Sequence, residues 1–353
     1  MSGLILPDDS VRAERKNLWV ITAISNPAQW KSRYVLYRQF RKHITEELGV
    51  NLCTIECALG AGGFHVTEVD EDAATSLKTV KATGSKTLDV RVRNASWVWL
   101  KENLMNVAVK HLPPSADYLL FSDADIRFCS PTMIDELIYA LAGTFTIVQP
   151  FETCADLGHE GQILAVHRSF GSCHAAGMTW NPVIRRGAKT GAAYSVYDTA
   201  DSGNFHTWHP GYCMAMRKKT FQKLGGLIEV GVAGAGDHHM MTAIIGRASE
   251  SYPSGVHKNY KKAVAKWQDK AKKYVRGNFG FVRGTIHHYH HGPKKNRAYI
   301  SRWNILTKNG FDPERDAWVN ADGVLELSSG NAGLREDLRR YFVSRNEDDV
   351  NNV

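Results

Sequence analysis

Ala116-Asp117-Tyr118-Leu119-Leu120-Phe121-Ser122-Asp123-Ala124-Asp125 is a short apolar run that closes on two carboxylates one residue apart. Bounded by Pro113-Pro114 before and Ser130-Pro131 after, it reads as a buried strand of an α/β sheet. Such sheets place ligands at the carboxyl ends of their strands. Asp123 and Asp125 there offer two hard oxygen ligands to a divalent cation, which keeps its other positions for water and the phosphates of a substrate. Asp-x-Asp is also common in turns, where a carboxylate caps backbone amides. The context favours the site: a strand precedes the pair, and Ser130-Pro131 opens a helix with Asp135-Glu136 in its first turns.

Outward from this stretch, the same strand-and-turn grammar repeats. Leu18 to Ile24 is an apolar strand, Ser25-Asn26-Pro27 opens a helix reaching about Leu48, and Leu52 to Cys57 is a second strand running into Leu59-Gly60-Ala61-Gly62-Gly63. Strand, helix, strand with glycine-rich ends is a nucleotide-binding half of the doubly wound kind. The first turn lacks G-x-G-x-x-G, which argues against a dinucleotide. A helix is expected from Trp97 to His111, where Lys101 and Asn106 are in reach of a diphosphate, and a strand from Thr144 to Phe151. The weakly periodic stretch from there to about Asn204 reads as a binding loop or lid. Glycines 231, 234 and 236 lie in a loop feeding an apolar helix through Ile245, which Asp237 precedes as a candidate N-cap, and Phe279 to Tyr289 is a strand ending in His287-His288-Tyr289-His290-His291.

Composition is that of a globular chain able to bury a full core: 353 residues, 43% hydrophobic and 23% charged. Six cysteines show no C-x-x-C pair, no signal peptide is evident, and no apolar run approaches a membrane span, so a reducing cytoplasm and no membrane partner are expected. The net charge of +8 is concentrated. Residues 257–302 hold thirteen Lys or Arg against the single acid Asp269, leaving the rest of the chain mildly acidic. Lys258 to Arg276 reads as an amphipathic helix whose lysines are either a solvated face or a grip for a phosphate-rich partner such as DNA.

Taken together, Leu18 to Ser25, Lys101-Glu102-Asn103, Phe121 to Asp125, Gly234-Ala235-Gly236-Asp237-His238-His239-Met240, His288 to Gly292 and Arg345-Asn346-Glu347-Asp348 resemble the phage-encoded glycosyltransferases of GT-A type, over nearly the whole chain. The resemblance implies an α/β, GT-A-like, Rossmann-related mixed sheet. It also implies a nucleotide-sugar donor, UDP favoured, bound through Mn²⁺ or Mg²⁺, and action in the cytoplasm of an infected bacterium. The expected divisions are an arm over 1–16, a nucleotide-sugar half over 17–150, an acceptor and catalytic half over 151–310 and an extension over 311–353.

In such enzymes an aspartate of the Asp-x-Asp and a downstream histidine close the metal site. Alternation along a strand puts His288 and His290 on one face, so these, rather than His291, are expected to join Asp123 and Asp125. Imidazole beside carboxylate suits Mn²⁺ better than Ca²⁺. Asp237 matches the base that takes the acceptor's proton in an inverting transfer, with His239 or His238 next; the Glu-Asp pair usual there is replaced by Asp237-His238-His239. Lys294, Lys295 and Arg297 are placed to clamp the diphosphate, and Thr22, Ser25 and Glu56 fall where the fold seats base and ribose. Trp208-His209-Pro210-Gly211-Tyr212 resembles the loop beside the donor sugar. The acceptor is expected to be a hydroxymethylated base in DNA, a protein or a glycan. A nucleotidyltransferase or a metal-dependent nuclease would share the carboxylates, although the former normally carries a Gly-rich, Arg-containing loop where Ala23-Ile24-Ser25-Asn26-Pro27 stands.

Overall fold

The computed structural model describes residues 14–67, 86–180 and 205–351, with the backbone of 78–81, 183–186 and 193–196. Most of the expected N-terminal arm and much of the expected loop before Asn204 lie outside these residues. Strands β1 (Leu18–Ser25), β2 (Asn51–Leu59), β3 (Lys78–Lys81), β4 (Thr87–Asn94) and β5 (Tyr118–Ser122) come first. Then follow β6 (Ile126–Phe128), β7 (Ile147–Gln149), β8 (Thr153–Leu157), β9 (Ile163–Ser169) and a ribbon of β10 (Val183–Arg186) and β11 (Ala193–Val196). The last four concerned with the site are β12 (Phe205–His209), β13 (Cys213–Arg217), β14 (Phe279–Phe281) and β15 (Thr285–His288).

The central sheet runs β14-β7-β13-β5-β1-β2-β4-β3. Its middle, β5-β1-β2-β4, is parallel, while β13 enters antiparallel between β5 and β7. The class is therefore the expected α/β with a mixed sheet. Parallel strands covered on both faces must be apolar throughout. Accordingly every residue of β5 is buried, as are the first five of β1. A second sheet, β12-β9-β8-β15-β6, stands beside it. Flanking helices include α1 (Lys31–Lys42), α2 (Lys101–His111), α3 (Lys218–Leu224), α4 (Gly236–Ile244), α5 (Lys258–Tyr274) and α6 (Ala332–Ser344). No helix among the described residues is long and apolar enough to cross a membrane.

Four expectations are corrected. The helix expected from Trp97 starts at Lys101, because the Trp99 amide donates to the Val232 carbonyl (2.9 Å) and the preceding segment leaves the helical path. The strand expected from Thr144 starts at Ile147, since Ala140–Thr144 continues the preceding helix as a wide turn. The supposedly irregular stretch after Phe151 contains β8 and β9, which hide from pattern reading because they bury Asp156 and His167. Finally, Phe279 to Tyr289 is two strands in two sheets, broken at Gly284, whose φ of 123° few side chains tolerate.

Candidate active site

β1 pairs with β2 on one side and β5 on the other, so the strand order reverses between β1 and β5. In open α/β sheets the crevice at such a reversal is where ligands sit. A cleft opens there, walled by Ser25-Asn26-Pro27 at the end of β1 and by Ser122 to Asp125 at the end of β5. The amino end of α1, which dinucleotide folds leave free for pyrophosphate, is closed from within the chain: the Lys31 and Ser32 amides donate to the Asp348 carboxylate at 3.0 and 2.7 Å.

Three ligand side chains meet on one wall of this cleft. His291 Nε2 is 3.2 Å from Asp125 Oδ2, His288 Nε2 is 3.8 Å from Asp125 Oδ1, and the two ring nitrogens are 3.3 Å apart. Asp125 Oδ1 is buried with no hydrogen-bond partner among the described residues. Burial, seconded by Arg297, pushes His291 down to about 4, so its ring is neutral at physiological pH. Two imidazole nitrogens facing one carboxylate, whose Oδ1 is otherwise unpartnered among the described residues, fit a divalent transition metal, the three groups together forming a His₂Asp donor set.

His290 is not part of the set. The strand ends at His288, so alternation stops before His290, whose Nε2 instead meets the Asp349 carbonyl at 2.9 Å. The chain turns at Gly292, with φ of 81°, and swings His291 inward in its place. A Cβ on Gly292 would lie 2.8 Å from the Asn346 carbonyl oxygen, so the C-terminal segment packs directly on this turn. That segment brings Glu347 to 3.7 Å from His291 Nδ1 and pairs it with Arg33 and Arg345.

Across the cleft, Lys101 Nζ lies 3.1 Å from Asp123 Oδ1, 4.0 Å from Asp237 Oδ2 and 3.9 Å from Glu102 Oε1. Asp123 therefore faces a lysine rather than the His₂Asp set. Burial works to raise the Asp237 pKa, but Lys101 and the His238 amide, which donates to Oδ1 at 2.7 Å, outweigh it and hold the carboxyl below its ordinary value. Glu102 is the opposite case: its Oε1 is buried without a hydrogen-bond partner among the described residues, and burial pushes its pKa to about 7 against the attraction of Lys101. Between the ordinary value near 4.5 and about 7, the folded chain holds a proton that the unfolded chain has released, so stability falls as pH rises through that window. Glu102→Gln is expected to be more stable than wild type at pH 8, by up to about 3 kcal/mol, and equal near pH 4.5. Denaturant unfolding at both pH values measures this; an unchanged difference between them would contradict it.

Of the other expected residues, Ser25, Lys294 and Arg297 line the cleft. Arg297 Nη2 is 3.0 Å from His291 Nε2, while the Lys294 ammonium is taken up by Asp156. Thr22 is fully buried inside the sheet. Glu56 turns away to accept the His65, Val66 and Thr67 amides and the Thr67 hydroxyl, fastening the loop after β2. His239 is a core residue on the inner face of α4, its ring nitrogens 2.7 Å from Ser251 Oγ and 2.6 Å from Tyr260 Oη. It cannot reach an acceptor, and of the two candidates His238 is the one that lines the cleft. Sequence reasoning missed Asp156 and gave no role to Glu102 or to Glu347, although both stand in motifs it singled out. A charge inside an apolar strand signals the first, and the Lys-Glu-Asn motif contains the second.

The basic segment divides in two. α5 buries Tyr260, Val264, Trp267 and Ala271, as its periodicity predicts, and none of its residues lines the cleft. Lys294, Arg297 and Arg302, further along, do.

No family model matches the chain, and no curated protein matches it. Among solved structures, the catalytic domain of Drosophila β-1,4-galactosyltransferase 7 with xylobiose aligns at 8% identity and a TM-score of 0.31, covering 76% of this chain and 65% of that one. This chain thus spans just under two thirds of that protein's length. A variant of the same protein, held with manganese, UDP-Gal and xylobiose, aligns at 11% identity with the same score and coverage. A chain described as a nucleotide-diphospho-sugar transferase of Desulfovibrio desulfuricans aligns at 12% identity and a TM-score of 0.29, over 92% of this chain and 98% of that one. Superpositions this loose leave the chemistry to be argued from the cleft.

Proposed function

We propose that this chain is a metal-assisted glycosyltransferase, moving a sugar from a nucleotide diphosphate donor to an acceptor hydroxyl with inversion. The observation that carries the reading is the pairing, in one cleft at the strand-order reversal, of a His₂Asp donor set with a carboxylate across from it, Asp237. Asp125, His288 and His291 would hold Mn²⁺. When bound, the cation supplies Lewis-acid stabilisation of the charge gathering on the departing diphosphate. Arg297 adds fixed positive charge on the same side. Asp237 accepts the proton of the attacking hydroxyl, and Lys101 keeps that carboxylate ionised until it does so. UDP is favoured by the family resemblance.

A panel of nucleotide sugars tested with Mn²⁺, Mg²⁺ and Ca²⁺ is expected to release nucleoside diphosphate, fastest with Mn²⁺, because two imidazoles select a borderline ion over hard ones. Equal rates with Mg²⁺ would reject the His₂Asp site. Pyrophosphate as product would mean nucleotidyl transfer, and shortened DNA would mean cleavage.

The basic segment supports DNA carrying a hydroxymethylated base as the acceptor class, with the backbone gripped by α5 and the base extruded toward the cleft. Duplex affinity should then fall steeply with salt. Salt-independent binding would leave a glycan or protein hydroxyl as the acceptor.

A further inference from the structure

Asp156 sits in the middle of β8, 2% exposed, and no step above uses it. Four donors converge on its two oxygens. Oδ1 faces His288 Nδ1 at 2.6 Å and the Tyr212 hydroxyl at 2.9 Å; Oδ2 faces His167 Nε2 at 2.5 Å and the Lys294 ammonium. An ionised carboxylate has no proton to offer, so the His288 ring must donate from Nδ1. In the Nδ1–H tautomer Nε2 carries the lone pair, and that is the atom turned toward Asp125 and His291.

Tyr212 ties this hub to the strand carrying the carboxylates. Its backbone is held at a φ of 72°, its hydroxyl reaches Asp156, and its carbonyl accepts the Asp123 amide at 2.8 Å. A non-glycine residue held in that region persists only where the surroundings over-determine it. The hydroxyl's bond to Asp156 and the hydrogen bond donated by the Asp123 amide supply that constraint.

We propose that Asp156 is a positioning residue that fixes the tautomer and ring orientation of His288, so that Nε2 is presented to a metal ion with Asp125 and His291. The inference rests on the metal reading above and extends it to a residue that touches neither metal nor donor. Carboxylates that accept from a ligating imidazole orient it and raise its basicity, and losing them commonly weakens metal binding by about 10–100-fold.

The test has two independent readouts. Imidazole ¹⁵N–¹H correlation spectra of the metal-free wild type should show His288 protonated on Nδ1 at neutral pH; a ring protonated on Nε2 overturns the proposal. Mn²⁺ titration followed by electron paramagnetic resonance should show Asp156→Asn weakened by about 10–100-fold and Tyr212→Phe by less. A folded Asp156→Asn protein that binds Mn²⁺ like wild type overturns it too. Should Asp156→Asn fail to fold, the wild-type tautomer and the Tyr212→Phe affinity decide. Should wild type itself bind no Mn²⁺, the metal reading fails, and the tautomer still decides whether Asp156 controls the ring.

Discussion

Asp125→Ala and His291→Ala are each expected to lose Mn²⁺ affinity by more than about a hundredfold, while His290→Ala stays within a factor of two of wild type. The distinction follows from one turn of chain. His290 and His291 are neighbours in sequence, but β15 ends at His288, and Gly292 lets the backbone fold against Asn346 and Glu347 so that, of these two, His291 faces Asp125. Transfer should fall with affinity. Stabilising a leaving diphosphate is worth several kcal/mol, so about a thousandfold in rate is at stake for Asp125→Ala even at saturating donor. Isothermal titration with Mn²⁺ and a diphosphate-release assay read the two effects separately. A His290→Ala protein crippled for metal, with His291→Ala intact, would mean that the strand continues past His288 and that the His₂Asp set is wrongly drawn.

What the sequence made legible follows from which interactions are local. The strand ending in Asp123-Ala124-Asp125 announces itself, because a parallel strand buried on both faces must be continuously apolar. The face of α5 is equally plain, its buried residues recurring every three or four positions. The helix start near Asp237 is legible because glycine-rich chain feeding an apolar run marks one, although Asp237 stands in the first turn of α4 and not at its cap. The failures share a cause: they depend on partners in other elements, which no periodicity within a segment records. Glu56 lies towards the end of β2, where the sequence places a ribose contact, yet the loop carrying His65 to Thr67 claims its carboxylate. His239 reads as a catalytic neighbour of Asp237, but the helical turn points it at Ser251 and Tyr260. β8 is passed over because Asp156 interrupts its apolar pattern, and the partners that satisfy that carboxylate, His288 and Lys294, lie more than a hundred residues away.

The carboxylate that a helix start predicted is also the one whose replacement separates binding from chemistry. Asp237→Asn is expected to lower kcat by about 10²–10⁴ while leaving donor and Mn²⁺ affinity unchanged, because the amide keeps the shape but cannot accept a proton. The pH profile supplies a second, independent mark. Burial works to raise the Asp237 pKa, but Lys101 and the His238 amide hold it below the ordinary carboxylate value. The carboxylate is thus the form present at neutral pH, and activity that depends on it is lost only as pH falls through that depressed value. Wild type should show no acid limb attributable to this group between pH 5 and 7. Lys101→Met removes the cation 4.0 Å from Asp237 Oδ2, and its acid limb should move upward. An Asp237→Asn enzyme within tenfold of wild-type kcat would strip Asp237 of the proton-accepting role and pass it to His238, whose buried Nε2 has no hydrogen-bond partner among the described residues.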